Sequence, residues 1–200
     1  MYKNILSAFL LFIFGVSYIY KLYVLKVNKK INANVLGRGD KDVKLKNTEI
    51  YLRTTTFIWL MVWIFCIITN RDISVSKLGY LSEINTEKIG LITTAIGVVF
   101  FELAIYFMKS SWRVGVDKNT KTDLITDGIY KYSRNPAFVG FDLMFVGLFL
   151  TYTNIFTFIV MCANLIAIHL QILQEEKYLK DSFGVKYASY INDTPRYLIF

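Results

Sequence analysis

Two segments in the second half of the chain combine residue types that could bind a small charged ligand. The first is residues 123–140, DLITDGIYKYSRNPAFVG, which lies between two long apolar runs. Asp127-Gly128 favours a turn, and Asn135-Pro136 predicts a helix that begins with an N-cap asparagine and a proline in its first turn. Such a helix start presents free backbone N–H groups and the positive end of the helix dipole, which suit an anionic group.

The second segment is the last apolar run, which ends in Glu175-Glu176. At about 100° per residue, Asn164, Gln171 and Glu175 fall on one stripe of a helix, whereas His169 and Glu176 share another stripe about 120° away. Polar groups within a bilayer usually face the helix bundle or a wet cavity. Simpler roles remain open at this point: Asn164 and Gln171 as bonds between helices, and the two glutamates as a solvated pair beside the membrane.

The composition is that of a membrane protein. The 200 residues are 54% hydrophobic and carry a net charge of +8, and apolar runs alternate with basic loops. This alternation argues against a nucleic-acid partner and favours the lipid bilayer. The single histidine and the two cysteines, Cys66 and Cys162, give no metal-binding or disulfide spacing, so we predict no metal.

Five apolar runs predict an all-α polytopic membrane protein with about five transmembrane helices. The runs cover residues 5–20, 51–69, 89–108, 136–150 and 154–173. A membrane span needs about 20 apolar residues, so the fourth run is short. Only Thr151-Tyr152-Thr153 separates the fourth run from the fifth. This link predicts an antiparallel C-terminal helical hairpin, which is followed by a polar tail.

The basic residues predict the orientation of this multi-pass arrangement. Of the 23 Lys and Arg residues, 19 fall on one side, and only Lys3, Arg71, Lys77 and Lys88 fall on the other. The positive-inside rule therefore predicts that the N-terminus lies outside and that residues 109–134 and the C-terminus lie in the cytosol. The polar stretch 28–47 is expected to be a solvated loop that faces anionic lipids.

Four motifs, in order, resemble those of the isoprenylcysteine carboxyl methyltransferase and phospholipid methyltransferase group of membrane enzymes. The motifs are Gly128-Ile129-Tyr130, Ser133 to Gly140, Glu175-Glu176-Lys177-Tyr178-Leu179, and Phe183-Gly184-Val185-Lys186-Tyr187 with Tyr190. Their order and spacing match over residues 112–196. The resemblance implies a single integral domain in two parts. Residues 1–108 form the N-terminal transmembrane helices and a basic cytosolic loop, and residues 109–200 form the methyltransferase-like cofactor-binding region.

The resemblance implies an enzyme that binds S-adenosylmethionine in a cytosol-facing pocket and methylates a lipidic or isoprenoid-type acceptor. The cofactor contacts are then expected at Leu124, Ile125, Tyr130, Asn135, Pro136, Ala137, Phe138, Glu175 and Glu176. The predicted catalytic residues are Glu175, Arg134 and Gln171.

Gln171 marks a departure from the prenylcysteine enzymes, which resemble this chain except for an Arg at that position. A Gln side chain cannot neutralise a carboxylate. The expected acceptor is therefore a lipid amine, a phenol or an isoprenoid rather than a prenylcysteine carboxylate. Two alternatives to a methyltransferase stay open, namely an NADPH-dependent membrane reductase of the sterol type and a polytopic scaffold without enzymatic activity.

Overall fold

The computed structural model describes residues 2–69, 85–120 and 122–198. The six helices of this described part are α1 (Tyr2–Lys29), α2 (Val43–Thr69), α3 (Thr86–Met108), α4 (Pro136–Thr151), α5 (Ile155–Phe183) and α6 (Val185–Asp193). Short 3-10 turns cover Lys109–Ser111 and Gly128–Lys131. The predicted all-α architecture is confirmed. Three residues used to predict the orientation, Arg71, Lys77 and Lys121, lie outside the described residues.

Four of the helices, α1, α2, α3 and α5, are long and apolar enough to cross a membrane. The fourth apolar run forms α4, which has 16 residues. At about 1.5 Å per residue, α4 is about 24 Å long, which is shorter than the hydrocarbon core of about 30 Å. It pairs with α5 in the predicted hairpin, and Asn154 caps α5 by accepting from the N–H groups of Phe156 and Thr157, each at 3.0 Å.

Contacts between helix ends define the two ends of the bundle. Lys3 of α1 forms an ion pair with Glu87 of α3 at 2.7 Å. Asn4 donates from Nδ2 to the Ile67 carbonyl of α2 at 2.9 Å and accepts from the Tyr152 hydroxyl at 3.2 Å. The start of α1, the end of α2, the start of α3 and the hairpin link therefore share one end. The Lys-rich segments share the other end, which is called the basic end below.

Three helices extend beyond their apolar runs at the basic end, and α1 does so by continuing to Lys29. α2 begins at Val43, well before its apolar run. α5 continues to Phe183, so Glu175 and Glu176 lie within a continuous helix. Gly184 then ends α5 with φ of +52°, a conformation that a glycine adopts without strain, and α6 turns back toward the bundle.

The polar stretch between α1 and α2 packs onto the bundle. Val35 donates its N–H to the Val114 carbonyl at 3.0 Å, and Val114 donates to the Ala33 carbonyl at 2.8 Å. Ala33 and Leu36 are buried by this pairing. The expectation that residues 28–47 form a solvated loop is therefore wrong for the middle of that stretch, because its apolar side chains and backbone cover residues 112–117.

Aromatic rings from four helices fill the centre of the bundle. Phe14 of α1 lies edge-on to Trp59 of α2, Phe101 of α3 and Phe141 of α4, with ring centroids 6.2, 5.0 and 5.6 Å apart. Edge-to-face pairs place the positive edge of one ring against the negative face of the next. This cluster ties α1, which has little other burial, to the remaining helices.

Close backbone contact joins α3 to α4. A Cβ atom on Gly97 would lie 2.6 Å from the Gly140 carbonyl oxygen, and one on Gly140 would lie 2.7 Å from the Gly97 carbonyl oxygen. A Cβ atom on Gly147 would likewise lie too close to Thr94 and to the Gly90 carbonyl oxygen. Small residues at such interfaces let helices approach closely within a bilayer. The contact fixes the position of α4 and therefore of the loop that leads into it.

Replacement of Gly97 by valine should separate α3 from α4, because the new side chain would overlap the backbone of α4. We expect the free energy of unfolding to fall by about 1–3 kcal/mol, as in other overpacked cores. Thermal denaturation in detergent measures the change. Gly15→Ala is the control, since no atom lies within 4 Å of its added Cβ, and an unchanged melting temperature for Gly97→Val would contradict the packing described above.

The orientation stays a prediction, and labelling with a membrane-impermeant maleimide can test it. Cys66 and Cys162 are first replaced by alanine, and single cysteines are then introduced at Lys118, Lys186 or Lys88, which are exposed. We expect Lys88→Cys to react in intact cells and the other two to react only after the membrane is opened. The reverse pattern would place the basic end outside.

Candidate active site

A cavity of about 550 Å³ lies inside the basic end of the bundle. Its volume is in the range of small-molecule sites, about 300–1,000 Å³. One part of the wall is charged or hydrogen-bonding and includes Arg113, Asp117, Asp123, Arg134, Asn135 and Glu175. The part toward the centre of the bundle is aromatic and includes Phe14, Tyr18, Trp59, Phe101, Trp112 and Phe141. The cavity therefore has a polar end and an apolar end.

Eight of the eleven predicted site residues line this cavity. They are Leu124, Ile125, Tyr130, Arg134, Asn135, Ala137, Phe138 and Glu175. They come from two regions of the sequence: the continuous segment 124–138, which is the loop before α4 and its first turn, and the last third of α5. The other three, Pro136, Gln171 and Glu176, do not line it.

The first turn of α4 lacks the side-chain cap expected from its sequence. Asn135 occupies the N-cap position, but its side chain makes no hydrogen bond to the turn. Its Nδ2 instead donates to the Arg196 carbonyl at 3.2 Å and to Glu176 Oε1 at 3.4 Å. The prediction of an asparagine side-chain cap is therefore wrong, because the amide is turned toward the C-terminal tail. The backbone N–H groups of Ala137 and Phe138 are left without a cap beside the cavity.

Glu175 lies on the polar wall of the cavity, and a side chain one helical turn earlier fixes the orientation of its carboxylate. Gln171 donates from Nε2 to Glu175 Oε1 at 3.0 Å. The Gln171 side chain is fully buried, and its Oε1 has no hydrogen-bond partner among the described residues. Gln171 therefore supports the Glu175 carboxylate from behind the cavity wall.

Glu176 joins three parts of the chain through one carboxylate. Its Oε1 accepts from Arg134 Nη2 at 2.9 Å, and its Oε2 accepts from Arg196 Nη2 at 2.7 Å. Arg134 also donates from Nη1 to the Thr194 carbonyl at 2.6 Å, and its backbone N–H donates to the Pro195 carbonyl at 3.0 Å. We call this set the Glu176 clamp. It binds the loop before α4 and the C-terminal tail to α5.

Tyr130 is also held by the C-terminal part of the chain. The Tyr190 hydroxyl donates to the Tyr130 carbonyl at 2.6 Å, and Tyr187 packs beside Tyr190 with ring centroids 6.1 Å apart. Burial raises the pKa of Tyr130 well above its ordinary value, with smaller contributions from Tyr190 and Glu175. Tyr130 is therefore a neutral phenol near pH 7, which offers a ring face rather than a base.

The segment after α3 is braced around Asp117. Arg113 Nε lies 3.1 Å from Asp117 Oδ2, and Thr120 donates both its backbone N–H and its hydroxyl to the same carboxylate. Burial alone would raise the pKa of Asp117, but the hydrogen bonds from Thr120, Asn119 and Arg113 outweigh it and lower the pKa below its usual range. Tyr178 of α5 donates to the Asp117 carbonyl at 2.7 Å. The Arg113 guanidinium also donates to the Thr120 hydroxyl and to the Ser110 and Trp112 carbonyls.

The sequence predictions missed the contribution of Glu49, which is completely buried. Its carboxylate accepts from the N–H groups of Val116 at 2.8 Å and Gly37 at 2.6 Å, and from Lys41 Nζ at 2.6 Å. These bonds hold two loops of the cavity wall to α2. In the sequence, Glu49 stands out only as an acid just before an apolar run, within a Lys-rich stretch. The other acids of that stretch are exposed in the structure.

Comparison with known proteins gives one match. A family model described as phospholipid methyltransferase matches residues 86–186, from the start of α3 into α6. No curated protein and no solved structure matches the chain. The matched region contains all eleven predicted site residues, whereas α1 and α2 lie outside it. It also includes α3, which the predicted division assigned to the N-terminal part.

Replacement of Glu176 by glutamine should release the C-terminal tail, because two guanidinium groups lose their counter-charge. Removing one partner of a buried ion pair costs about 3–5 kcal/mol, and the partly exposed Arg196 places this change at the lower end. Limited proteolysis should show faster cleavage within residues 190–198. Glu175→Gln is the matched control and should leave cleavage unchanged. Equal protection of both variants would contradict the role of the Glu176 clamp.

Proposed function

The chain belongs to the phospholipid methyltransferase family, a family of membrane methyltransferases, and on that premise we propose that it transfers a methyl group from S-adenosylmethionine to a lipidic or isoprenoid-type acceptor. One observation carries the proposal. Two regions that are apart in the sequence, residues 124–138 and the last third of α5, bring eight predicted residues to a single cavity, which has a polar end and an apolar end. Such a cavity suits a reaction between a water-soluble and a membrane-dissolved reactant.

The groups at the polar end fit S-adenosylmethionine. The uncapped N–H groups of Ala137 and Phe138 suit its carboxylate. The Glu175 carboxylate, oriented by Gln171, suits its ammonium group or ribose hydroxyls. The ring faces of Tyr130 and Phe138 suit the adenine or the sulfonium charge. When bound, S-adenosylmethionine supplies an electrophilic methyl group on a sulfonium ion.

The residues of this chain act mainly by positioning the reactants and excluding water. Ala137, Phe138 and Glu175 would hold S-adenosylmethionine, which would supply its methyl group to the lone pair of the acceptor while its sulfur kept the electron pair of the carbon–sulfur bond. This displacement needs the three atoms in line and little acid–base chemistry. Glu175 is suited to receive the proton of an amine or hydroxyl acceptor. The Glu176 clamp holds the loop and the tail over the cavity, which limits the access of water.

The apolar end supports a lipidic acceptor. Its wall consists of aromatic rings from α1, α2, α3 and α4, which suit an acyl or prenyl chain. Two predicted residues that were candidates to bind an acceptor carboxylate have other partners. Gln171 lies behind the wall and bonds to Glu175, and Arg134 is bonded to Glu176.

Isothermal titration of the purified protein in detergent should detect binding of S-adenosylmethionine and no binding of NADPH. Glu175→Gln should weaken the binding by about 1.5–3 kcal/mol, the contribution of a charge-assisted hydrogen bond, which is roughly 10- to 150-fold in Kd. Asp181→Asn, which removes an exposed acid on the same helix, is the control and should bind as the unmodified protein does. Binding of NADPH alone would favour the reductase, and binding of neither would favour the scaffold.

A further inference from the structure

α1 and α2 contact each other at one end of the bundle and are separated by the cavity at the other end. Near the start of α1, Ser7 accepts from Trp63 Nε1 at 2.7 Å, and Asn4 bonds to α2 as described above. Toward the basic end, the described residues show no hydrogen bond between the two helices, and the cavity occupies the space between them. Ile19 of α1 and Phe57 of α2 line the cavity while remaining 67% and 60% exposed. The cavity thus opens sideways toward the bilayer.

Arg53 lies at this opening, which we call the lateral opening and define by Gly15, Ile19, Arg53 and Phe57. Arg53 lines the cavity and is also exposed on the outer side of α2. A Cβ atom built on Gly37 would lie 3.9 Å from Arg53 Nη1, so the guanidinium reaches toward the basic end of the bundle. It is therefore positioned between the apolar part of the cavity and the region of lipid head groups.

The charge of Arg53 is uncompensated within the described part of the chain. Two other arginines line the cavity, and both have acidic partners: Arg113 pairs with Asp117, and Arg134 pairs with Glu176. No carboxylate or other acceptor among the described residues contacts the Arg53 guanidinium. A cation in an apolar helix is costly and usually marks a functional site. Guanidinium groups bind phosphate and carboxylate through paired hydrogen bonds.

We propose that the lateral opening admits an amphiphile that carries an anionic group, and that Arg53 binds this group while the chain of the amphiphile lies among the aromatic rings. The assignment of this amphiphile as the methyl acceptor rests on the proposed function. Arg53 is then the residue that selects acceptors by charge. The group that Arg53 binds is a phosphate or a carboxylate, because both offer the paired oxygens that a guanidinium prefers.

Quenching of tryptophan fluorescence by brominated amphiphiles tests this proposal, because Trp59 and Trp112 line the cavity and are buried. The protein in a neutral maltoside detergent is titrated with dibromostearoyl lysophosphatidic acid, dibromostearic acid and dibromostearoyl monoglyceride. We expect saturable quenching with a midpoint at least tenfold lower for the phosphate than for the neutral glyceride. A low midpoint for the fatty acid as well would extend the specificity to carboxylates.

Arg53→Gln should remove the difference in quenching midpoint between the charged and the neutral amphiphile. Arg38→Gln, which removes an exposed arginine outside the cavity wall, is the matched control and should keep it. The proposal is overturned if Arg53→Gln retains the preference, if Arg38→Gln loses it too, or if no amphiphile quenches saturably. Calorimetry on the same samples separates this result from the proposed function. If the unmodified protein binds S-adenosylmethionine but shows no charge preference, or if Arg53→Gln keeps the preference, the role of Arg53 alone is rejected. Absence of cofactor binding to the unmodified protein rejects the methyltransferase.

Discussion

The arrangement of the cavity depends on one buried carboxylate. Glu176 binds Arg134 in the loop before α4 and Arg196 in the C-terminal tail, so two residues 62 positions apart meet at one side chain of α5. A buried carboxylate is stable only when its charge and its lone pairs are satisfied. Two arginines and the Asn135 amide meet that requirement here. The need to satisfy Glu176 therefore holds the loop, which lines the polar end of the cavity, and the tail against α5.

The short length of α4 explains how a helix start can serve as part of a site. A helix of about 24 Å does not fill a hydrocarbon layer of about 30 Å, so its ends need protein contacts rather than lipid. The glycine contact with α3 provides them along the length of α4. Its first turn lies within the bundle, where Ala137 and Phe138 line the cavity and the Asn135 side chain does not cap the helix. The aromatic rings toward the centre of the bundle then line the apolar end of the cavity, next to its polar end.

Local features of the structure could be predicted from the sequence because they depend on residues close together in the chain. Apolar runs predicted the helices, and Asn135-Pro136 predicted where α4 begins. The helical period also separated Glu175 from Glu176: the first lines the cavity, and the second lies in the Glu176 clamp. Gly140 and Gly147 lie seven residues apart, which places both on one face of α4, and both contact α3 closely.

Other features were decided only by the tertiary structure, because they depend on partners far apart in the sequence. Asn135 was expected to cap its own helix, but the Arg196 carbonyl and Glu176 compete for its amide. Glu49 gains its three donors only when two loops fold onto α2. Arg53 appears in the sequence as one more basic residue near an apolar run. Its place at the lateral opening follows from the packing of α1 against α2, which no local pattern specifies.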